Sequence, residues 1–515
     1  MIHSSENPSL AQHWRLMLVL IVGLTAWRLA IAALMPVTQD EAYYFDWART
    51  LAWGYFDHPP GVALLGLGTR LEPGSVFMAR IGGLLAGLLT LLILARFYSN
   101  CGLTAVRDQA LALILAGATL PGLVGGVITT PDSALALAWA LALHEGERAL
   151  AVDRRRWITA GLAIGLGLLG KYTMVLIGPV LLWAILRSDW RALGTRWPYL
   201  GALAALLVFA PNILWNAQND WLTMGFQFGH GFSTDVGALA APEASAIEHS
   251  GPSEPAERIA SLLAYLGTQV GFWGLIALPI LLAPWLGRGR QEAATKPEHP
   301  LSAPGRALLI AAAVFPLAFF ALVALVSEVE ANWPAMYLLA AAPLLALWLR
   351  RAWNWALGAA LGNLLLVSLY AFHAATAALP LPDSQNRILR ETHGFDELAE
   401  IAATLDAPVH ADRYQLTAML RFHRPELETS QWPGLSRPSE YLRGRIAPRL
   451  DPDSMDGPFW LVTRFGAPPA IPGFEVGIQR TLFDCAGESL LEVASAPCRR
   501  PLHAWHLYRY APARR

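Results

Sequence analysis

Charge is scarce in this chain. Asp, Glu, Lys and Arg make up 15% of its 515 residues, where soluble domains carry about 25%. The net charge is -1 and no basic stripe exists, so nothing points to nucleic acid as a partner. Cysteine is rarer still, and three residues are too few for a disulfide scaffold or a thiolate metal site. Cys485 and Cys498, 13 positions apart, would pair in an oxidising compartment; free buried thiols are the alternative. Lysine is nearly absent, with only Lys171 and Lys296. No glycine-rich phosphate loop precedes a helix. No internal repeat stands out, which disfavours an inverted-repeat transporter.

Apolar sequence is plentiful: 55% of the chain is hydrophobic, with 20 Trp and 43 Gly. Rings of this kind anchor spans at bilayer interfaces, and glycine lets helices pack closely. A spanning helix needs about 20 mostly apolar residues. Such stretches run near 16–35, 76–97, 108–128, 132–146, 157–171, 172–187, 198–215, 259–284, 304–327, 334–349 and 353–375. The expected fold is therefore mostly α, a polytopic membrane protein of about eleven spans. No small-residue cleavage site follows the first run, which reads as a retained span. Arginines gather in alternate loops: Arg15, Arg96 and Arg107, Arg154 to Arg156, Arg187 to Arg196, Arg288 and Arg290, then Arg350 and Arg351. By the positive-inside rule these loops and the N-terminus are cytoplasmic, and an odd span count puts the C-terminus outside. The expected location is a membrane, with membrane lipids as surroundings.

Two units follow: residues 1–377 in the membrane, and 378–515 as a small periplasmic α/β domain. In the tail, Gly394–Leu405 and Gln415–Phe422 pattern as helices, and Pro408–Ala411, Phe459–Thr463 and Ala504–Tyr510 as strands. The outward loops are 36–75 and 216–258. Within the second, Gly229–Glu257 reads as a mobile segment, either a lid or a passive linker.

The outward segments hold almost all the acidic residues near the membrane. Asp40 and Glu41 follow the first span directly, and a carboxylate there can act as general base toward a hydroxyl. Ordinary capping of a helix start is the plainer reading. Tyr43, Tyr55, Asp57 and His58, with two prolines after, suit a rigid surface that stacks on a sugar; an interfacial aromatic belt is the alternative. Asp132 sits at another outward corner, behind Pro131, where helix-start chemistry explains it equally well. Lys171 lies between two apolar runs and must snorkel or find an anion, for which a lipid phosphate is available. Arg28 and Arg80, on the same side, would add to it. Asn216, and further on Glu328, Glu330 and Asn332, form carboxylate, carboxamide and Trp clusters suited to sugar hydroxyls.

These residues in this order resemble bacterial members of glycosyltransferase family 39, which holds protein O-mannosyltransferases and aminoarabinose transferases of the GT-C fold. The likeness rests on Asp40-Glu41-Ala42-Tyr43-Tyr44, Gly54-Tyr55-Phe56-Asp57-His58-Pro59-Pro60, Thr130-Pro131-Asp132 and Gly170-Lys171-Tyr172. It continues through Pro211-Asn212-Ile213-Leu214-Trp215-Asn216 and Glu328-Val329-Glu330-Ala331-Asn332-Trp333-Pro334, and more loosely Asp412-Arg413-Tyr414-Gln415. It implies an inverting transferase of the bacterial inner membrane that takes a sugar from a polyprenyl-phosphate donor on the periplasmic side. Asp40 would be the base, Glu41 its support, and Asp132 would orient the acceptor or a metal. Lys171 with an arginine would stabilise the departing phosphate. Sugar and acceptor stay open among glycolipid, polysaccharide and protein. A divalent metal also stays open, since no tight ligand spacing appears. A transporter or flippase of lipid-linked sugars is the rival class, and a non-enzymatic scaffold a third; a transporter would place its polar groups mid-span rather than at outer helix ends.

Overall fold

The structure is a computed structural model that describes residues 10–232, 254–286, 300–382, 385–492, 498 and 500–513. Every expected apolar stretch is helical. Leu10–Leu34, Val76–Asn100, Val106–Ala118, Pro131–Ala151, Arg156–Gly170 and Ile177–Ser188 come first, then Trp197–Gln218, Pro255–Gly271 with Ala277–Leu286, Ala303–Val323, Tyr337–Trp348 and Trp353–Thr376. Among the described residues, five helices are long and apolar enough to cross a membrane, or six if one bent pair counts as a span. Three more are apolar but shorter. Leucines and valines such as Val19, Leu85, Leu207 and Leu322 stand exposed on these helices, as a lipid solvent permits and water does not.

One expected span is not straight. The stretch at 259–284 breaks between Gly271 and Gly274 and bends by 99°. Gly274 takes a positive φ of 56°. The backbone freed by the break is satisfied by Asn363, which accepts from Leu275 N–H and donates to the Trp273 and Ala118 carbonyls, at 2.8, 2.9 and 2.9 Å. Irregular backbone at such depth is tolerated only where protein groups satisfy it. Elsewhere the bundle closes tightly: a Cβ on Gly161 would stand 1.9 Å from the Gly201 carbonyl oxygen. Helices Arg156–Gly170 and Trp197–Gln218 thus touch backbone to backbone, as small residues allow.

The tail carries one six-stranded sheet: β1 Val409–Ala411, β2 Ser430–Gln431, β3 Phe459–Thr463, β4 Phe474–Cys485, β5 Leu491–Glu492 and β6 Pro501–Pro512, in the order β2-β1-β3-β6-β4-β5. β1 runs parallel to β2 and β3, and the remaining pairs are antiparallel. Helices Phe395–Ala403 and Tyr414–His423 pack beside it. Three strands and both helices match the pattern in the sequence. β4 does not, because its register slips between Val476 and Ile478 and such a bulge breaks the period-two signal. Cys485 and Cys498 form a disulfide at the end of β4. Most of the segment expected to be mobile, 233–253, lies outside the described residues.

The tail does not hang free. Arg421 reaches Asp46 of segment 36–75 at 2.6 Å, Arg437 reaches Asp57 at 2.8 Å, and the Glu440 carboxylate accepts from Phe56 N–H at 2.7 Å. These bonds lock segment 36–75 against the sheet domain.

Candidate active site

Thr38 begins the geometry. It caps helix Gln39–Trp47 in a capping box with Glu41, which satisfies two orphan backbone donors at once. Glu41 is fully buried and does more than cap. Its two oxygens accept from Arg80 at 2.8 and 2.6 Å, and Oε1 also takes the Thr129 N–H at 3.0 Å. Arg80, equally buried, spends its other donors on the carbonyls of Ala32, Met35 and Pro36. The pair staples the end of the first helix, the helix after it and the Thr129 corner together. Arg80 and Glu41 thus satisfy each other inside the protein, and neither lines the cavity described next.

Asp40 is one residue away and points elsewhere, since neighbours on a helix differ by about 100°. It lines a cavity of about 600 Å³ with Arg28, Thr130, Asp132, Asn332 and Glu391. Asp40 is open to water on that side, while protein surrounds it on the others. That burial pushes its carboxyl above the usual range, and the negative charge of Glu391 adds to the push. Arg437 and a hydroxyl donated by Tyr414 at 3.3 Å pull the other way and are outweighed. A raised carboxyl with one hydrogen bond suits a group that must take up a proton.

Asp132, Lys171 and Asn332 come together from three distant segments. Lys171 Nζ lies 2.8 and 3.1 Å from the Asp132 oxygens, and Asn332 donates to Oδ2 at 2.6 Å. The anion beside Lys171 in the structure is thus a protein carboxylate, that of Asp132. Its burial is possible because of that partner. Asp132, held by two donors, keeps a fixed direction into the cavity.

Arg28 is the exception among the buried cations. Nη2 donates to the Gly122 carbonyl at 2.8 Å, while Nε and Nη1 are buried with no partner. No carboxylate lies within ion-pair distance among the described residues. Its plane sits in a slot between two glycines: a Cβ on Gly126 would stand 2.3 Å from Nε, and one on Gly87 3.0 Å from Nη1. An uncompensated buried cation is costly, and this one borders the cavity.

The remaining expected residues take other places. Tyr43 donates to Asp57 at 2.7 Å and Tyr55 stacks on Trp47 at 4.4 Å, both fully shielded. Asp57 holds Arg437, which it keeps protonated above the usual range although burial works against the cation. These three build the contact between segment 36–75 and the tail, not the cavity wall. His58 packs edge-on against Tyr44. Asn216 is buried, donating to Tyr172 and accepting from Met224 N–H, each at 3.2 Å. Glu328 and Glu330 stand exposed just before Asn332. Sequence reasoning missed Tyr414, Arg437, Arg387 and Glu391, which approach Asp40 from the tail. The Asp412-Arg413-Tyr414-Gln415 motif was the one signal for them. Among the described residues no group of three His, Cys, Asp or Glu stands close enough to hold a metal.

A bundle of apolar helices, acidic loops over a cavity and a small sheet domain docked on it make an architecture similar to that of GT-C proteins. A family model described as dolichyl-phosphate-mannose-protein mannosyltransferase matches residues 57–215. The chain is 26% identical over 216 residues to the lipid A galacturonosyltransferase RgtD of Rhizobium johnstonii, spanning 40% of this chain and 44% of that protein. It is 32% identical over 188 residues to the lipopolysaccharide core galacturonosyltransferase RgtA of the same organism, spanning 35% and 37%. The matches thus span about two fifths of these relatives' length. The crystal structure of ArnT from Cupriavidus metallidurans in the apo state shares the fold along nearly the whole chain, at TM-score 0.59, 16% identity, and 97% and 98% coverage. The same protein bound to undecaprenyl phosphate gives TM-score 0.60, 16% identity, and 95% and 97% coverage.

Proposed function

We propose that this protein is an inverting glycosyltransferase of the inner membrane, moving a sugar from a polyprenyl-phosphate donor to a hydroxyl of a glycolipid on the periplasmic face. The observation that carries this reading is one cavity shared by a raised carboxyl, Asp40, and a buried arginine with unfilled donors, Arg28. The names of the two galacturonosyltransferases favour a lipid A or lipopolysaccharide acceptor over protein. The solved neighbour with undecaprenyl phosphate favours a polyprenyl-linked donor.

In this mechanism the acceptor hydroxyl gives its proton to Asp40 while its oxygen attacks the anomeric carbon. The bond from that carbon to the phosphate oxygen breaks on the opposite face, which inverts the centre and releases polyprenyl phosphate. Phosphate is already a good leaving group, so no general acid is required; its growing charge is met by Arg28, in a site partly shielded from water. Asp132, fixed by Lys171 and Asn332, orients the acceptor. Glu41 and Arg80 hold Asp40 in place without touching substrate.

The orientation rests on three supports. The arginine-rich loops alternate with acidic ones, as a cytoplasmic and an outer side require. The disulfide in the tail suits an oxidising compartment. Helices lie at the eleven apolar stretches, and an odd number of crossings would make 1–377 the membrane domain and 378–515 the periplasmic one. The deciding experiment is transfer from a purified polyprenyl-phosphate-sugar donor by Asp40→Asn. The expected result is a folded protein with turnover reduced about 100-fold or more, the size usual for a general base. Near-normal turnover would remove Asp40 from the role.

A further inference from the structure

Away from the cavity, the joint between segment 36–75 and the tail holds a second pocket, of about 420 Å³, lined by Arg49, Thr69, Arg70, Pro73 and Pro425. It shares no residue with the cavity around Asp40. Charge at this joint does not balance. Arg49 lies 3.1 Å from Asp46, but the same carboxylate also serves Arg421, at 2.6 Å. Arg70 has no carboxylate within ion-pair distance among the described residues. It donates instead to the carbonyls of Ala48 and Arg49, at 2.6 and 3.2 Å. Three guanidinium groups and one carboxylate therefore meet here. Thr69 is 2% exposed, and its hydroxyl is buried with no partner.

Packing sets the depth of the pocket. The short helices Gly61–Leu65 and Gly66–Arg70 lie across the start of helix Val76–Asn100, one of those long enough to cross a membrane. A Cβ on Gly68 would stand 1.8 Å from the Met78 carbonyl oxygen, and one on Gly82 2.2 Å from that of Leu65. Backbones this close hold Arg70 at the end of a spanning helix, which is the level of lipid headgroups.

The exposed side chains agree with that depth. Leu64, Leu67 and Leu71 recur at helical spacing and stand exposed. Ile81 and Leu85 continue the apolar surface along the spanning helix, and Leu51 and Trp53 stand exposed just after Arg49. Leucines beside arginines, with a Trp at the rim, are the composition of a segment that lies in the interface.

We propose that this pocket binds the headgroup phosphate of an anionic phospholipid. Arg49, Arg70 and the Thr69 hydroxyl meet the phosphate oxygens, while the leucines beside them enter the hydrocarbon layer. Guanidinium forks match a phosphate, and surplus positive charge favours a net-negative lipid over a zwitterionic one. Arg49 also donates to the Arg421 and Pro425 carbonyls, at 3.1 and 3.5 Å. A lipid held there bridges the tail to the segment that carries Asp40. Nothing in this depends on the role of Asp40.

The test counts bound lipid. Full-length protein in detergent is mixed with equal phosphatidylglycerol and phosphatidylcholine and read by native mass spectrometry. Wild type is expected to retain one phosphatidylglycerol in about tenfold preference, the size of one charge-assisted contact. Arg70→Gln should bring that ratio close to one, and Arg70→Lys should keep part of it. A ratio near one in wild type, or an unchanged ratio in Arg70→Gln, would overturn the proposal. Phosphorylated lipid A added in equal amount should leave the phosphatidylglycerol bound; its displacement would assign the pocket to the acceptor instead. Depth is read separately, with both arginines intact, from a nitroxide on Leu71→Cys in bilayer nanodiscs. Cys101 is buried and Cys485 is bonded to Cys498, so the label is confined to position 71. Oxygen should relax it more than a water-soluble nickel chelate does. The reverse order would place the pocket outside the headgroup layer and end the proposal.

Discussion

Glu41→Gln separates structural from catalytic carboxylates in this site more sharply than any other change. The side chain keeps its shape and loses its charge. In the native protein Glu41 accepts two bonds from Arg80, at 2.8 and 2.6 Å, one from Thr129 N–H at 3.0 Å and one from Thr38 N–H at 3.2 Å. Both partners of the ion pair are fully shielded from solvent. Removing one partner of a buried pair leaves the other charge uncompensated, at a cost of about 3–5 kcal/mol. That loss should appear as a markedly lower unfolding temperature of purified protein in nanodiscs, with transfer falling only in proportion to the folded fraction. The double variant Glu41→Leu with Arg80→Met should recover part of the stability, since neither charge remains buried. Recovery will be incomplete because the carbonyls of Ala32, Met35 and Pro36 lose their donor. An unfolding temperature equal to wild type, together with a large loss of turnover per folded molecule, would refute the reasoning and return Glu41 to the reacting groups.

The pH dependence of transfer follows from the charge around Asp40. A base works when deprotonated, so activity should fall as pH drops through its raised pKa, above the usual carboxylate value of about 4; Glu391→Gln removes a repelling charge and should move that acid limb to lower pH. An unmoved limb in a rate profile from about pH 4 to 8 would show that another group titrates. Arg28→Met should raise the donor KM about tenfold or more, the size of a lost charge-assisted bond to phosphate, with a smaller effect on the acceptor KM. Gly126→Ala should mimic it with the arginine still present, because the added methyl would displace the guanidinium from its slot; donor affinity equal to wild type in both variants would remove Arg28 from donor binding.

What the sequence by itself determined was everything that depends on local composition and period. Runs of apolar residues placed the helices, because each must bury or immerse about 20 residues whatever it packs against. Turn and alternation signals placed β1, β3, β6 and the two tail helices. The concentration of Asp40, Asp132 and Asn332 at helix ends was legible for the same reason: a polar group at a span's end is costly and conspicuous. Tertiary structure decided the roles. Asp40 and Glu41 are adjacent and chemically alike, yet one faces a cavity and the other a buried arginine, because a helix turns about 100° per residue. Lys171 and Arg28 were both isolated cations in apolar sequence; only the fold brought a carboxylate to Lys171 and, among the described residues, none to Arg28. Contacts between residues hundreds of positions apart, such as Tyr414 with Asp40 or Asn332 with Asp132, leave no periodic trace in the chain. They exist only once the helices and the sheet have packed.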